Sequence, residues 1–156
     1  MAIGLKDIHM EKVVHRDIKH KNIFLSSLGE RPKVKIADFG LSCYLEDDEC
    51  FQQPSGTLGY KSPEIIRGEP SDSRADIWSL GVILYQLICG DMPFPGSSVR
   101  SVEKRILTRE LTYDNEIWST VSEPCKDLLK HMLCKDIGYR YGIADVLLHP
   151  WLVGQF

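Results

Sequence analysis

From Ala75 to Ile88 every helical face carries apolar side chains, and the only polar ones are Asp76, Ser79 and Gln86. A helix without a solvated side belongs at the centre of a core, with other elements packed round it. Candidates for that packing follow in the chain. Ser122 as N-cap, Pro124 in the first turn, then Cys125, Leu128, Leu129, Met132 and Leu133 at helical spacing predict an amphipathic helix. Helical patterns also run through Ser98 to Leu107 and Ile143 to Leu148, the second halted before Pro150. The second half reads as a helical bundle.

The first third reads as strands and turns. Ile23 to Leu25 and Val34 to Ile36 are short β-branched or aromatic runs separated by the turn-forming stretch Ser26 to Pro32, which predicts a β-ribbon. Residues 41 to 61 hold an acidic run, Glu46 to Glu49, then Pro54, Gly56 and Gly59, with no periodicity. They read as one long loop, and loops of that length inside a compact domain are usually functional or disordered. The fold class expected is mainly α with short β-ribbons, an α+β arrangement.

A formal net charge of −3 offers no basic field for nucleic acid or for an anionic membrane surface. No apolar run reaches the roughly 18 residues of a membrane span. Met1 to Met10 mixes apolar residues with Lys6, Asp7 and His9 and lacks the apolar centre of a secretory signal. The expectation is a cytoplasmic or nuclear protein with neither nucleic-acid nor membrane partner. Cys43, Cys50, Cys89, Cys125 and Cys134 are odd in number and without C-x-x-C spacing, which predicts reduced, mostly buried thiols instead of disulfides or a zinc site.

Three motifs remain: His15-Arg16-Asp17-Ile18-Lys19-His20-Lys21-Asn22, then Asp38-Phe39-Gly40, then Ser62-Pro63-Glu64. An isolated Asp, Asn or Lys is most often a solvated turn residue, so the joint spacing is what carries weight. In this order the motifs resemble the catalytic loop, the metal-binding tripeptide and the end of the activation segment of protein kinases. Lysine at position 19 resembles the serine/threonine enzymes, not the tyrosine enzymes.

That resemblance implies transfer of the γ-phosphate of ATP, with Mg²⁺, to a serine or threonine hydroxyl of a protein substrate. Asp17 would accept or orient the proton of the attacking hydroxyl, and Lys19 would hold a γ-phosphate oxygen. Asn22 and Asp38 would supply hard oxygen ligands to Mg²⁺, and Phe24 the lower wall of the adenine pocket. Thr57, in Gly56-Thr57-Leu58-Gly59-Tyr60, would touch the catalytic aspartate and lysine. Arg16 would pair with a phosphate on the activation segment. Many relatives carry that phosphate on a threonine where this chain has Gln53, which leaves Ser55 or the acidic run Glu46 to Glu49 as substitutes. Asp76 would hold backbone amides of the His15-Arg16 region. Glu64 and Arg140 would form an ion pair whose burial decides its worth. Phe39 would stack under a regulatory helix of another lobe or pack internally.

On this reading residues 1–156 are a partial kinase domain: the C-terminal lobe, with catalytic loop 15–22, activation segment 38–64 and helical subdomain 65–152. The stretch before His15 holds no G-x-G-x-x-G loop and no V-A-I-K lysine. The N-terminal lobe is therefore expected to be absent and the chain alone to transfer little phosphate. The alternative is a half-kinase that docks partners without catalysing, although a pure scaffold has no chemical need of Asp17, Lys19, Asn22 and Asp38. The Ser26 to Pro32 insert, Trp118 to Ser122 running into Lys126 to Leu129, and His149-Pro150-Trp151 resemble the calcium/calmodulin-dependent group and, within it, calcium-dependent protein kinases. Arginine-reading relatives place glutamates where Lys21 and Gln86 stand, so weakened selection for basic sites is expected.

Overall fold

The computed structural model describes residues 1–27, 32–47 and 55–154. Its axis is the helix read first from the sequence. In chain order the elements are α1 (Ala2–Met10), β1 (Val13–Val14), a 3-10 turn (His20–Asn22), β2 (Ile23–Leu25), β3 (Val34–Ile36), β4 (Cys43–Tyr44), α2 (Pro63–Arg67), α3 (Arg74–Cys89), α4 (Val99–Thr108), a second 3-10 turn (Glu116–Ser119), α5 (Glu123–Met132), α6 (Ile143–Leu148) and α7 (Pro150–Val153). The chain is mostly helical with small antiparallel sheets.

Residues Ala75 to Ile83 of α3 are buried without interruption. Only near its C-terminus does the helix emerge, with Leu87 68% exposed, so the last turn departs from the all-buried expectation. Leu128, Leu129 and Met132 of α5 are buried in the same core. Their approach is close at Gly81, where an added Cβ would stand 3.0–3.1 Å from Met132 and Leu133. Trp78 stacks on Phe94 with ring centroids 5.6 Å apart. Ser98 caps α4 in a reciprocal pair with Ser101, whereas Ser122 occupies the N-cap of α5 without a side-chain bond.

The ribbon forms as predicted: β2 and β3 pair antiparallel, Ile23 opposite Ile36 and Leu25 opposite Val34. Two expectations fail. Residues 1–10 are helical, not strands and turns: Leu5 is fully buried, Met1, Ala2 and Ile8 pack beside it at helical spacing, and α1 lies against α6, β1 and β3. Nor are residues 41–61 one loop, because β4 pairs with β1, Val14 opposite Cys43, and Leu45 donates its amide to the Lys12 carbonyl at 2.7 Å. A two-residue strand is too short to show a period. The predicted halt before Pro150 holds, since α6 ends at Leu148; Pro150 then opens α7, whose Trp151 amide is capped by Nδ1 of His149 at 3.2 Å.

The described cysteines divide evenly by burial: Cys43 and Cys125 are buried, Cys89 and Cys134 only partly. Cys50, Gln53 and the second half of the acidic run, Asp48 and Glu49, lie outside the described residues. No described helix is long and apolar enough to cross a membrane.

Trp118 sits between Tyr85 and Tyr113, with ring centroids 4.8 Å from each. The tyrosine hydroxyls donate to the carbonyls of Thr112 and Lys126, each at 3.0 Å. Burial, then neighbouring groups that disfavour a phenolate, push both hydroxyls up to about 12. The unfolded chain ionises its tyrosines near pH 10, so below about pH 10 these groups do not alter stability. Above it the unfolded state gains by ionising and stability falls. Denaturant melts between pH 9 and about 11.5 are expected to show this decline, and Tyr85→Phe with Tyr113→Phe is expected to flatten it.

Candidate active site

The site grows out of the strand β1. After Val14 the backbone turns sharply, with Arg16 at φ 67. Two adjacent amides are held there by one carboxylate: His15 N–H donates to Asp76 Oδ2 and Arg16 N–H to Asp76 Oδ1, both at 2.8 Å. Asp76 lies in the first turn of α3 and is 1% exposed. Its third donor is Nε2 of His9 on α1, at 2.9 Å. Such multiple donation is what makes a buried carboxylate tolerable. His15 is buried as well, accepting the Asp17 amide at Nδ1 (3.3 Å) and donating from Nε2 to the Ala37 carbonyl (3.0 Å). That pattern has Nδ1 accepting and Nε2 donating.

Asp17, Lys19, Asn22 and Thr57 meet in one hydrogen-bonded cluster. Lys19 Nζ donates to Asp17 Oδ2 at 2.6 Å and to Thr57 Oγ1 at 2.9 Å, and Thr57 Oγ1 donates to Asp17 Oδ1 at 2.7 Å. The Asn22 amide donates to the Asp17 carbonyl at 3.0 Å and, more weakly, to Oδ2 at 3.4 Å. Burial pushes the Asp17 carboxyl up, but the hydrogen bonds from Lys19 and Thr57, the Lys19 charge and the Asn22 amide together outweigh it and hold it below the usual carboxylate range. It is an anion with both oxygens oriented.

Asp38 stands apart from this cluster. Its backbone is tied in, since the neighbouring Ala37 amide donates to the Asn22 carbonyl at 2.9 Å. Its carboxylate, in an exposed residue at φ 66, accepts only the Gly40 amide, at 3.4 Å, among the described residues. Arg16 and Asp38 are two of the three non-glycine residues described at positive φ, a conformation that costs energy and tends to mark functional sites. Asn22 spends its NH₂ on Asp17, and its oxygen accepts no hydrogen bond among the described residues. An amide oxygen and a lightly bonded carboxylate are hard donors that fit Mg²⁺.

Phe24 is 55% exposed on the ribbon. Phe39 is 48% exposed with one side of its ring against His15, centroids 4.9 Å apart. Glu64 of α2 and Arg140 form a bidentate pair, both contacts 2.7 Å, with side chains 3% and 0% exposed. Arg16 borders a small cavity with Ser55, Thr57 and Lys61.

Gly56 adopts φ +90, and a Cβ there would sit 2.8 Å from the Arg16 carbonyl oxygen. Neither backbone can yield without parting the Thr57 segment from the loop that carries Arg16 and Asp17. Gly56→Ala is expected to cost about 1–3 kcal/mol, read as a lowered melting temperature together with lost exchange protection at residues 56–60.

The family model described as Protein kinase domain matches residues 1–152. The chain belongs to the protein kinase domain family. Among its relatives, calcium/calmodulin-dependent protein kinase type 1 of Macrobrachium nipponense is 38% identical over 148 residues, covering 95% of this chain and 43% of that protein. The calcium and calcium/calmodulin-dependent serine/threonine-protein kinase of Oryza sativa subsp. japonica is 36% identical over 155 residues, covering 99% and 30%. Calcium-dependent protein kinase 21 of Arabidopsis thaliana is 39% identical over 146 residues, covering 94% and 27%. The chain thus spans less than half the length of these kinases.

Some residues of the site were missed in the sequence. His9 lies on the unpredicted helix α1, where the spacing of Met1, Leu5 and Ile8 was the available signal. His20, Tyr60 and Gln86 form a hydrogen-bonded chain beside Asp17 that no pairwise motif announces.

Proposed function

We propose that this kinase chain supplies the catalytic-loop half of a serine/threonine protein kinase, which transfers the γ-phosphate of ATP to a protein hydroxyl once a second lobe completes the nucleotide site. The observation that carries the proposal is the Asp17–Lys19–Thr57 triangle, with three contacts of 2.6–2.9 Å. Phosphoryl transfer asks chiefly for positioning and charge neutralisation. Asp17, anionic and held at both oxygens, orients the substrate hydroxyl and receives its proton. Lys19 has three N–H donors, and two are committed to Asp17 and Thr57, which leaves one for a phosphate oxygen. Asn22 and Asp38 would hold Mg²⁺, which when bound neutralises phosphate charge.

Support for a covering lobe comes from the exposure of Phe24, Leu25 and Val34 on the β2–β3 ribbon and of Phe39 and Leu41 beyond it, an apolar surface of the kind soluble domains seldom leave bare. With that lobe the unit is the C-terminal part of a kinase domain: catalytic loop 15–22, activation segment 38–64, helical subdomain 65–152. We place it in the cytoplasm, the compartment that supplies ATP and keeps thiols reduced. Lys21 is exposed and Gln86 is neutral, so selection for arginine near the acceptor is weak.

The test is transfer of labelled γ-phosphate to serine and threonine peptides, with and without arginine near the acceptor. It is run on the protein from its natural source and on residues 1–156 alone. Mg²⁺-dependent transfer by the former, little by the latter and no strong arginine requirement are expected. A natural protein that binds partners and never transfers phosphate would favour the scaffold instead.

A further inference from the structure

Thr57 reaches Asp17 from a turn whose backbone does little to hold it. Gly56 and Gly59 flank the Thr57-Leu58 pair at φ +90 and +89, and glycines lose much conformational freedom when fixed. The Tyr60 amide closes the turn on the Thr57 carbonyl at 3.0 Å, and Tyr60 is 6% exposed. What fixes Tyr60 therefore fixes Thr57.

Three side chains do so. Ser79 of α3 donates its hydroxyl to the Tyr60 carbonyl at 2.8 Å. Two turns further along the same face of α3, Gln86 Oε1 accepts the Tyr60 hydroxyl at 2.8 Å. On the other side of that hydroxyl, 2.6 Å away, stands Nδ1 of His20, from the turn that follows Lys19. A phenol has one hydrogen, and an amide oxygen can only accept. With the Gln86 oxygen facing the phenol and that hydrogen on it, a bare Nδ1 would face the phenol oxygen lone pair to lone pair at 2.6 Å, and the contact calls for a hydrogen on Nδ1. The order of donation is His20 Nδ1–H to Tyr60 Oη, then Tyr60 Oη–H to Gln86 Oε1.

We propose that His20, donating through Nδ1, and Gln86 are positioning residues of this site: through Tyr60 they clamp the 56–60 turn between the catalytic loop and α3, and so keep Thr57 on Asp17. The consequence for catalysis rests on the function proposed above, while the clamp itself does not.

Nitrogen-15 NMR of the imidazoles in the full chain at neutral pH is the direct test. Nδ1 of His20 is expected to carry a proton, whether or not Nε2 does, and a bare Nδ1 overturns the proposal. A second arm uses variants at this exposed position. In His20→Ala, exchange protection of the Tyr60 amide is expected to fall about two- to tenfold. In His20→Asn, whose Nδ2–H stands where Nδ1–H stood, it should return. Unchanged protection in the alanine variant, or an asparagine variant no better than alanine, overturns it. In the natural protein His20→Ala should lower kcat while KM for ATP holds, with asparagine again restoring the rate. If the NMR and exchange results appear but the unaltered natural protein transfers no phosphate, the clamp stands and the catalytic reading falls.

Discussion

Arg140→Ala is expected to destabilise the chain by about 3–5 kcal/mol, the usual cost of stranding one half of a buried ion pair. At roughly 2–4 °C per kcal/mol, melting should fall by on the order of 10 °C. Glu64 would be left as a buried anion, 2% exposed, without its two guanidinium contacts. The same arginine also donates to the Cys134 carbonyl at 2.8 Å and the Arg74 carbonyl at 3.1 Å, and its guanidinium lies 5.1 Å from the Trp78 ring centroid. Arg140→Lys cannot reproduce that fork and should recover only part of the loss. Adding Glu64→Ala to Arg140→Ala removes the stranded charge, so the double variant should be less unstable than the sum of the two single ones. Additive losses would mean that the pair is not coupled in the folded chain.

Asp17→Asn is expected to lower kcat by about 10²–10⁴ in the natural protein, the range that positioned proton transfer contributes, with KM for ATP little changed. The amide keeps the shape and can still accept from Thr57, but it can take no proton and leaves the Lys19 ammonium without its carboxylate. The pH dependence has a definite sign. The folded carboxyl is held below its ordinary value near 4, so its stabilising contribution is fully present above about pH 4 and lost as pH falls through the folded value. Phosphotransfer rates and acid melts of the two proteins check this; a variant transferring at the unaltered rate would remove Asp17 from the mechanism.

Residues that satisfy a long-period rule were readable before any coordinates. The all-apolar run of α3 and the spacing from Cys125 to Leu133 in α5 follow from the solvent each face meets, and both helices appear within a residue or two of their predicted bounds. β4 was not readable, because two residues carry no period and their strand character comes from β1, some thirty positions earlier. α1 is hard to read because Lys6, Asp7 and His9 are scattered among its apolar residues, and the one helical signal, the spacing of Met1, Leu5 and Ile8, spans barely two turns. In the site, the motifs named Asp17, Lys19 and Asn22 by resemblance, and Thr57 arrives from 40 residues away in sequence. Their second partners were invisible: the bond from His9 to Asp76 spans 67 positions and depends on a helix docking that no local pattern encodes. Asp38 shows the opposite limit, since its motif was clear and yet its carboxylate does not join the cluster.

The interruptions in α3's apolar run, Asp76, Ser79 and Gln86, turn out to share one side of the helix, the first gripping the loop that carries Asp17 and the others gripping the residue that carries Thr57 into place. Both jaws of the proposed site are thus referenced to a single helix. A repacking beneath that helix, at Gly81 against Met132 for instance, would carry the two jaws along as one piece, so the gap between them should be insensitive to strain that reshapes the rest of the bundle.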